Sequence, residues 1–320
     1  MTDEKLVFSL KSNCSNLKKM KKQYQGVVVP MVTPLTASRE IDREAVAKMM
    51  EEFAKNDISP LVLGTTGESA SFSEKESLEM IKATVASKAP HQQVYAGVVS
   101  NLVEEQHRRG SQYLEQGVDA IVATLPAYYV LSDDQMKLHF EGLADHLKGP
   151  LLMYNIKATT QMSIPLSVVE EMSHHPHIWG LKDSERDISR MHAAIDHYQK
   201  RADFSFFCGW GAQSANSLRT GADGIVPSTG NIVPEMYKSL YTAAKEGDEE
   251  GAVHYQELTD EVAKIYQGGR SLGASLAALK VLLQQKGWCQ AYLKPPLTEL
   301  SKSEEEKVLS DWQTMMEQVK

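Results

Sequence analysis

Two rhythms of apolar residues alternate along this chain. Short runs that are apolar almost throughout occupy residues 26–31, 60–63, 93–98, 120–124, 150–154, 178–182, 204–208 and 224–227. Such runs predict parallel strands covered on both faces, because a half-exposed strand would alternate apolar and polar positions. Between them lie amphipathic stretches with helical spacing, over 42–56, 73–87, 101–116, 132–147, 165–173, 187–198, 213–220 and 234–246. The first places Val46, Met49, Met50 and Phe53 on one face behind the acidic cap Asp42. The second opens Ser73-Glu74-Lys75-Glu76, a capping box. Beyond about residue 248 the strands stop, and 251–267, 271–286 and 301–319 all read as helices. Eight successive βα units predict a (β/α)8 barrel, of the TIM type, over 25–247, preceded by an arm (1–24) and followed by a C-terminal helical region (248–320). No GxGxxG follows the first strand run, so a dinucleotide-binding sheet has no direct support.

Composition narrows the class. Of 320 residues 42% are hydrophobic and 24% charged, an ordinary globular balance, and the formal net charge is −8. That sign argues against a nucleic-acid partner. The basic run Lys18-Lys19-Met20-Lys21-Lys22 reads as a solvated tail. Cys14, Cys208 and Cys289 are scattered, with neither metal spacing nor a disulfide framework, which fits a reducing cytoplasm. No apolar run reaches membrane-spanning length, and no metal or cofactor is expected.

In such barrels the chemistry lies just past the C-terminal ends of the strands. The sixth run ends on Lys182. A lysine finishing a buried strand either snorkels out, pairs with Asp183 or Glu185, or serves as an amine nucleophile toward a carbonyl. The fifth run ends Met153-Tyr154-Asn155, and a tyrosine phenol there is an acid/base candidate, though strand-end tyrosines are also common core residues. After the second run, Gly64-Thr65-Thr66-Gly67-Glu68-Ser69 is either a plain turn or a loop whose free N–H groups hold an anion. Pro126-Ala127-Tyr128-Tyr129 lines a pocket, an oligomer contact or ordinary packing. Gly209 and Gly211, around Trp210, permit close approach of a ligand to the backbone. Val226 and the Ser228-Thr229-Gly230 turn form a phosphate site or a pocket wall.

Taken together, Pro30-Met31-Val32-Thr33-Pro34, Gly64-Thr65-Thr66-Gly67-Glu68, Tyr128 in its Pro-x-Tyr-Tyr context, Tyr154-Asn155, Gly180-Leu181-Lys182, Gly221-Ala222-Asp223-Gly224 before Asn231, Ala278-Leu279-Lys280 and Pro295-Pro296-Leu297 resemble the dihydrodipicolinate synthase / N-acetylneuraminate lyase family. The resemblance covers roughly residues 25–300. It implies a barrel with a C-terminal helical region, usually a homotetramer built from dimers. It implies a Schiff base between Lys182 and the keto carbon of pyruvate or a related 2-oxo acid, with Tyr154 shuttling protons. Thr65 would link Tyr154 to Tyr128, which the resemblance places across a dimer interface, and the N–H groups of Thr65 and Thr66 would bind the substrate carboxylate.

The chain also departs from the pattern. Synthases of that family carry an arginine five residues after the strand-5 tyrosine, where this chain has Thr159. Lys157 stands in place of a proline, Gln161 in place of a glycine, and Trp210 where synthases tend to place aspartates. A lysine is a point charge rather than a planar fork. The expectation is therefore the same imine chemistry on a different second substrate. The alternatives are a dihydrodipicolinate synthase, an N-acetylneuraminate lyase, a non-catalytic barrel that binds a 2-oxo acid, and a phosphate-sugar barrel enzyme using the strand-8 turn.

Overall fold

A computed structural model describes residues 22–318, so Cys14 and the lysines Lys18, Lys19 and Lys21 lie outside the described residues. Eight strands close into one parallel barrel: β1 (Gly26–Pro30), β2 (Ile58–Val62), β3 (Tyr95–Val98), β4 (Ala120–Thr124), β5 (Leu151–Asn155), β6 (Ile178–Asp183), β7 (Ser205–Cys208) and β8 (Gly224–Ile225). Each strand pairs with its sequence neighbour, and β8 returns to β1 at Gly26↔Gly224. The expected eight-stranded (β/α)8 barrel with a C-terminal helical extension is what forms.

The surrounding helices are α1 (Arg43–Lys55), α2 (Glu74–Ala86), α3 (Val103–Glu115), α4 (Asp133–Leu147), α5 (Lys157–Thr160), α6 (Leu166–Met172), α7 (Ile188–Tyr198), α8 (Ser214–Thr220) and α9 (Pro234–Glu246). The C-terminal helices are α10 (Glu249–Gln267), α11 (Leu272–Gln285) and α12 (Lys302–Gln318). Capping follows the sequence. Asp42 accepts from Ala45 N, and Ser73 and Glu76 complete their box at the start of α2. The α1 face of Val46, Met49, Met50 and Phe53 is fully buried against the barrel.

The barrel interior is packed rather than open. Tyr24, Tyr95, Phe207 and Trp179 meet edge to face, with ring centroids 5.9–6.1 Å apart. Above them Val28, Leu61, Val122, Leu152 and Val226 enclose a small apolar void roofed by Lys182.

Lys22 corrects one expectation. It is buried, not part of a solvated tail, and its ammonium donates to Tyr198 O, Phe204 O and Asp223 Oδ2, each at 2.8 Å. Those acceptors lie at the N-terminal end of the barrel, where backbone carbonyls would otherwise go unpaired. Burial lowers the Lys22 pKa even though Asp223 opposes it. The barrel's packing thus includes Lys22 and Tyr24, and a run of like charges concealed one structural lysine.

At the other end Asn231 ties β1 to the loop after β8. Its Nδ2 donates to Pro30 O and Ser228 O, both at 2.8 Å, and its Oδ1 accepts from Val32 N at 3.0 Å. Among the described residues no helix is long and apolar enough to cross a membrane.

Candidate active site

The register of the barrel brings the two leading candidates together. Tyr154 pairs with Lys182 across β5 and β6. Residues at equivalent heights on neighbouring parallel strands point the same way, so both side chains enter the barrel mouth. Lys182 is only 4% exposed and Tyr154 5%. The Lys182 Nζ lies 3.7 Å from the centroid of the Tyr154 ring. Burial alone would raise the phenol's pKa. The charge of Lys182 and hydrogen bonds from Ser184, Thr65 and Lys182 outweigh it, and the pKa falls below its ordinary 10. A buried amine beside a phenol that gives up its proton more readily than usual is equipped for carbonyl addition and proton transfer.

Asn155 and Asp183, the next residues on the two strands, hold this arrangement. Asn155 Nδ2 donates to Asp183 Oδ1 at 2.9 Å and to Glu185 Oε2 at 3.0 Å, while its Oδ1 accepts from Ile164 N at 3.0 Å. Arg190 Nε donates to Asp183 Oδ2 at 2.6 Å. Ser163 Oγ donates to Glu185 at 2.5 Å, and Lys157 Nζ sits 3.7 Å from the same carboxylate. Burial would raise the Glu185 pKa, but Ser163, Asn155, Arg190 and Lys157 together hold it below the usual carboxylate value. The network pins the loop after β5 to the end of β6. It also shows the fate of the alternative partners for Lys182: Asp183 and Glu185 are engaged elsewhere.

The turn after β2 supplies the third element. Glu68 N–H donates to Thr65 O at 3.2 Å and Ser69 N–H to Gly64 O at 3.3 Å, closing residues 64–69 into a compact turn. The N–H groups of Thr65 and Thr66 find no acceptor among the described residues. Thr65 reaches the Tyr154 hydroxyl, and Thr66 is nearly buried. The turn can pass this close because Gly97 on β3 lacks a side chain. A Cβ there would fall 2.2 Å from Leu63 O.

Other expected site residues fall differently. Gly209 does allow a close approach, but the near neighbour is Ser184. A Cβ on Gly209 would meet its Oγ at 2.1 Å. Val226 lines the void beneath Lys182. Ser228 and Thr229 bond the Tyr266 hydroxyl at 2.8 and 3.0 Å, which places them in the wall between barrel and C-terminal region. Tyr128 is not brought to Lys182 within one chain. It is 79% exposed and packs edge to face on Tyr129, itself 75% exposed.

Sequence reasoning missed Ser184, which has no motif of its own: it follows the end of β6, its N–H donates to Asn155 O at 2.9 Å, and its side chain bonds the Tyr154 hydroxyl. It also gave no role to Glu68 or Lys280, whose ion pair at 2.5 Å has both side chains fully buried. No cluster of three or more metal-ligating side chains occurs among the described residues.

A family model described as the dihydrodipicolinate synthetase family matches residues 23–315. The chain belongs to that family. An uncharacterized DapA-like lyase of Thermofilum pendens is 26% identical over 293 residues, covering 90% of this chain and 96% of the relative. A dihydrodipicolinate synthase structure from Bacteroides thetaiotaomicron superposes with a TM-score of 0.87 at 29% identity, covering 92% of this chain and all of that one. A chloride-inhibited dihydrodipicolinate synthase from Acinetobacter baumannii, solved in complex with pyruvate, has a TM-score of 0.84 at 22% identity and covers 91% of this chain and 99% of that one. At that identity the likeness is one of fold. Membership of the dihydrodipicolinate synthetase family makes the chain an enzyme of the class I aldolase and lyase type.

Proposed function

We propose that this enzyme cleaves or condenses a pyruvate-type 2-oxo acid through an imine on Lys182. The observation that carries the reading is the buried Lys182 amine 3.7 Å above the Tyr154 ring at the mouth of the barrel. The Lys182 amine, once it has given up its proton, adds to the C2 carbonyl. Tyr154, with Thr65 and Ser184 against its hydroxyl, delivers and removes the protons that let water leave. The resulting iminium draws the electron pair of the breaking C3–C4 bond into an enamine. In the reverse sense, the enamine carbon attacks an acceptor. The iminium is itself the electron sink, so the proposed chemistry uses no metal and no cofactor. The free N–H groups of Thr65 and Thr66 are suited to the substrate carboxylate. The pyruvate bound by the Acinetobacter baumannii synthase supports pyruvate as the anchor.

The second substrate is proposed to differ from that of a dihydrodipicolinate synthase. Thr159 is exposed and offers no guanidinium, and Lys157 lies against Glu185. The synthase reading is favoured by the name of a relative at 29% identity. The discriminating experiment supplies pyruvate with aspartate semialdehyde and, separately, a panel of 4-hydroxy-2-oxo acids. Turnover of a panel member with no condensation on the semialdehyde is expected, and efficient condensation would reinstate the synthase.

A cytoplasmic homotetramer, a dimer of dimers, is proposed as the working form. Tyr128, Tyr129, Val130, Leu102 and Leu138 are each exposed apolar side chains that an assembly would cover. A second copy would bring its Tyr128 toward Thr65 and complete the proton path.

A further inference from the structure

The turn that bears the free N–H groups is anchored from behind by the C-terminal region. Glu68 ends the turn in the left-handed conformation, at φ 58°, which sends its carboxylate away from the barrel mouth. Its Oε1 lies 2.5 Å from Lys280 Nζ on α11, and its Oε2 accepts from Lys294 N at 3.0 Å. Lys280 also donates to Tyr292 O at 2.7 Å, and Lys294 Nζ pairs with Glu76 and donates to Arg39 O at 3.2 Å. The opposite side of the turn is fixed by Thr33, whose hydroxyl donates to Gly67 O at 2.7 Å. The same Gly67 could carry no side chain, because a Cβ would lie 2.9 Å from Leu63 N and 3.1 Å from Met31 O.

A fully buried ion pair is a weak device for stability alone, since an apolar pair of the same volume serves as well or better. What the charged pair adds is direction. It fixes where the Glu68 backbone sits, and so the orientation of the Thr65 and Thr66 N–H groups three and two residues earlier.

We propose that the Glu68–Lys280 pair is a positioning device for the carboxylate-binding turn, through which the C-terminal region sets the enzyme's affinity for its 2-oxo acid. Neither residue touches substrate. Both act through the turn, and the inference rests on the imine reading of Lys182 given above.

The test compares two ketones on the full-length protein. Pyruvate carries a carboxylate and acetone does not. Each condenses with the Lys182 amine, releasing water, and borohydride delivers hydride to the imine to leave a stable secondary amine for mass analysis. The variants are Glu68→Gln, which keeps shape and the acceptor for Lys294 N, and the double variant E68M/K280M, which removes both charges. The double variant guards against an unfolded single mutant, because no lone charge is left buried. In both, the pyruvate concentration for half-maximal trapping is expected to rise about tenfold to a hundredfold. Acetone trapping and, in the double variant, the melting temperature are expected to stay near wild type. Unchanged pyruvate dependence in folded variants would overturn the proposal. So would an equal loss with both ketones, the mark of general loosening. A wild-type protein that traps neither ketone would instead overturn the imine reading, and this inference with it.

Discussion

At the residue scale, the proposed chemistry rests on two contacts: the Lys182 amine over the Tyr154 ring, and the Tyr154 hydroxyl among Thr65, Ser184 and Lys182. Removing the phenol oxygen leaves the amine and the turn in place but takes away the proposed proton carrier. Tyr154→Phe should therefore lower kcat by about 10²–10⁴-fold with a smaller change in KM, read by steady-state kinetics. A kcat within a few-fold of wild type would mean that another group moves the proton. Lys182 and Tyr154 were legible in the sequence because a polar residue ending an apolar strand run is conspicuous, and the position of the run fixes its place in a barrel. Ser184 was not, because one small hydroxyl carries no pattern. Gly209 was legible as a close approach, but only the packed structure shows that Ser184 is what approaches it. The Glu68–Lys280 pair joins residues far apart in the chain, and no local rule couples them.

At the element scale, the strands and principal helices follow from apolar rhythm, with boundaries moved by a residue or two where caps and strand ends fray. The short helix Lys157–Thr160 was not predicted, since four residues cannot display a helical period. Lys22 was read with its charged neighbours, and only the barrel's carbonyls together with the Asp223 carboxylate explain its burial. Helix α2 offers a pH test. Glu76 closes its capping box and pairs with Lys294, and these contacts outweigh burial to hold its carboxyl at about 2, against an ordinary 4.5. The folded state thus binds fewer protons than the unfolded chain at these pH values. The charged form's contribution is complete above about pH 4.5 and is lost as pH falls toward 2. The melting-temperature gap between wild type and Glu76→Gln should be constant above that range and close as pH falls through it. A gap that persists to pH 2 would show that the carboxylate charge contributes nothing.

At the scale of the whole molecule, the closed parallel barrel and the helices behind it were readable from the alternation of elements, because the handedness and packing of βα units leave few alternatives. What lay beyond the sequence is how the C-terminal region engages the mouth of the barrel, through Lys280, Lys294 and Tyr266. Assembly belongs to this scale too. With Tyr128 exposed in one chain, a role in catalysis requires a second copy. Co-expressing Lys182→Ala with Tyr128→Phe should produce mixed dimers in which one site regains both residues. For random pairing at equal amounts, about a quarter of wild-type activity is expected. A fully active Tyr128→Phe would place Tyr128 outside the proton path, and activity no greater than the sum of two inactive variants would exclude its contribution from a second copy.

The imine itself is tested most directly by borohydride trapping with pyruvate, read by intact mass and peptide mapping, in wild type beside Lys182→Ala. A pyruvate-derived adduct on Lys182 that is lost in the variant is the predicted result. A folded wild-type protein with no adduct, or an adduct carried by another lysine, would contradict the mechanism.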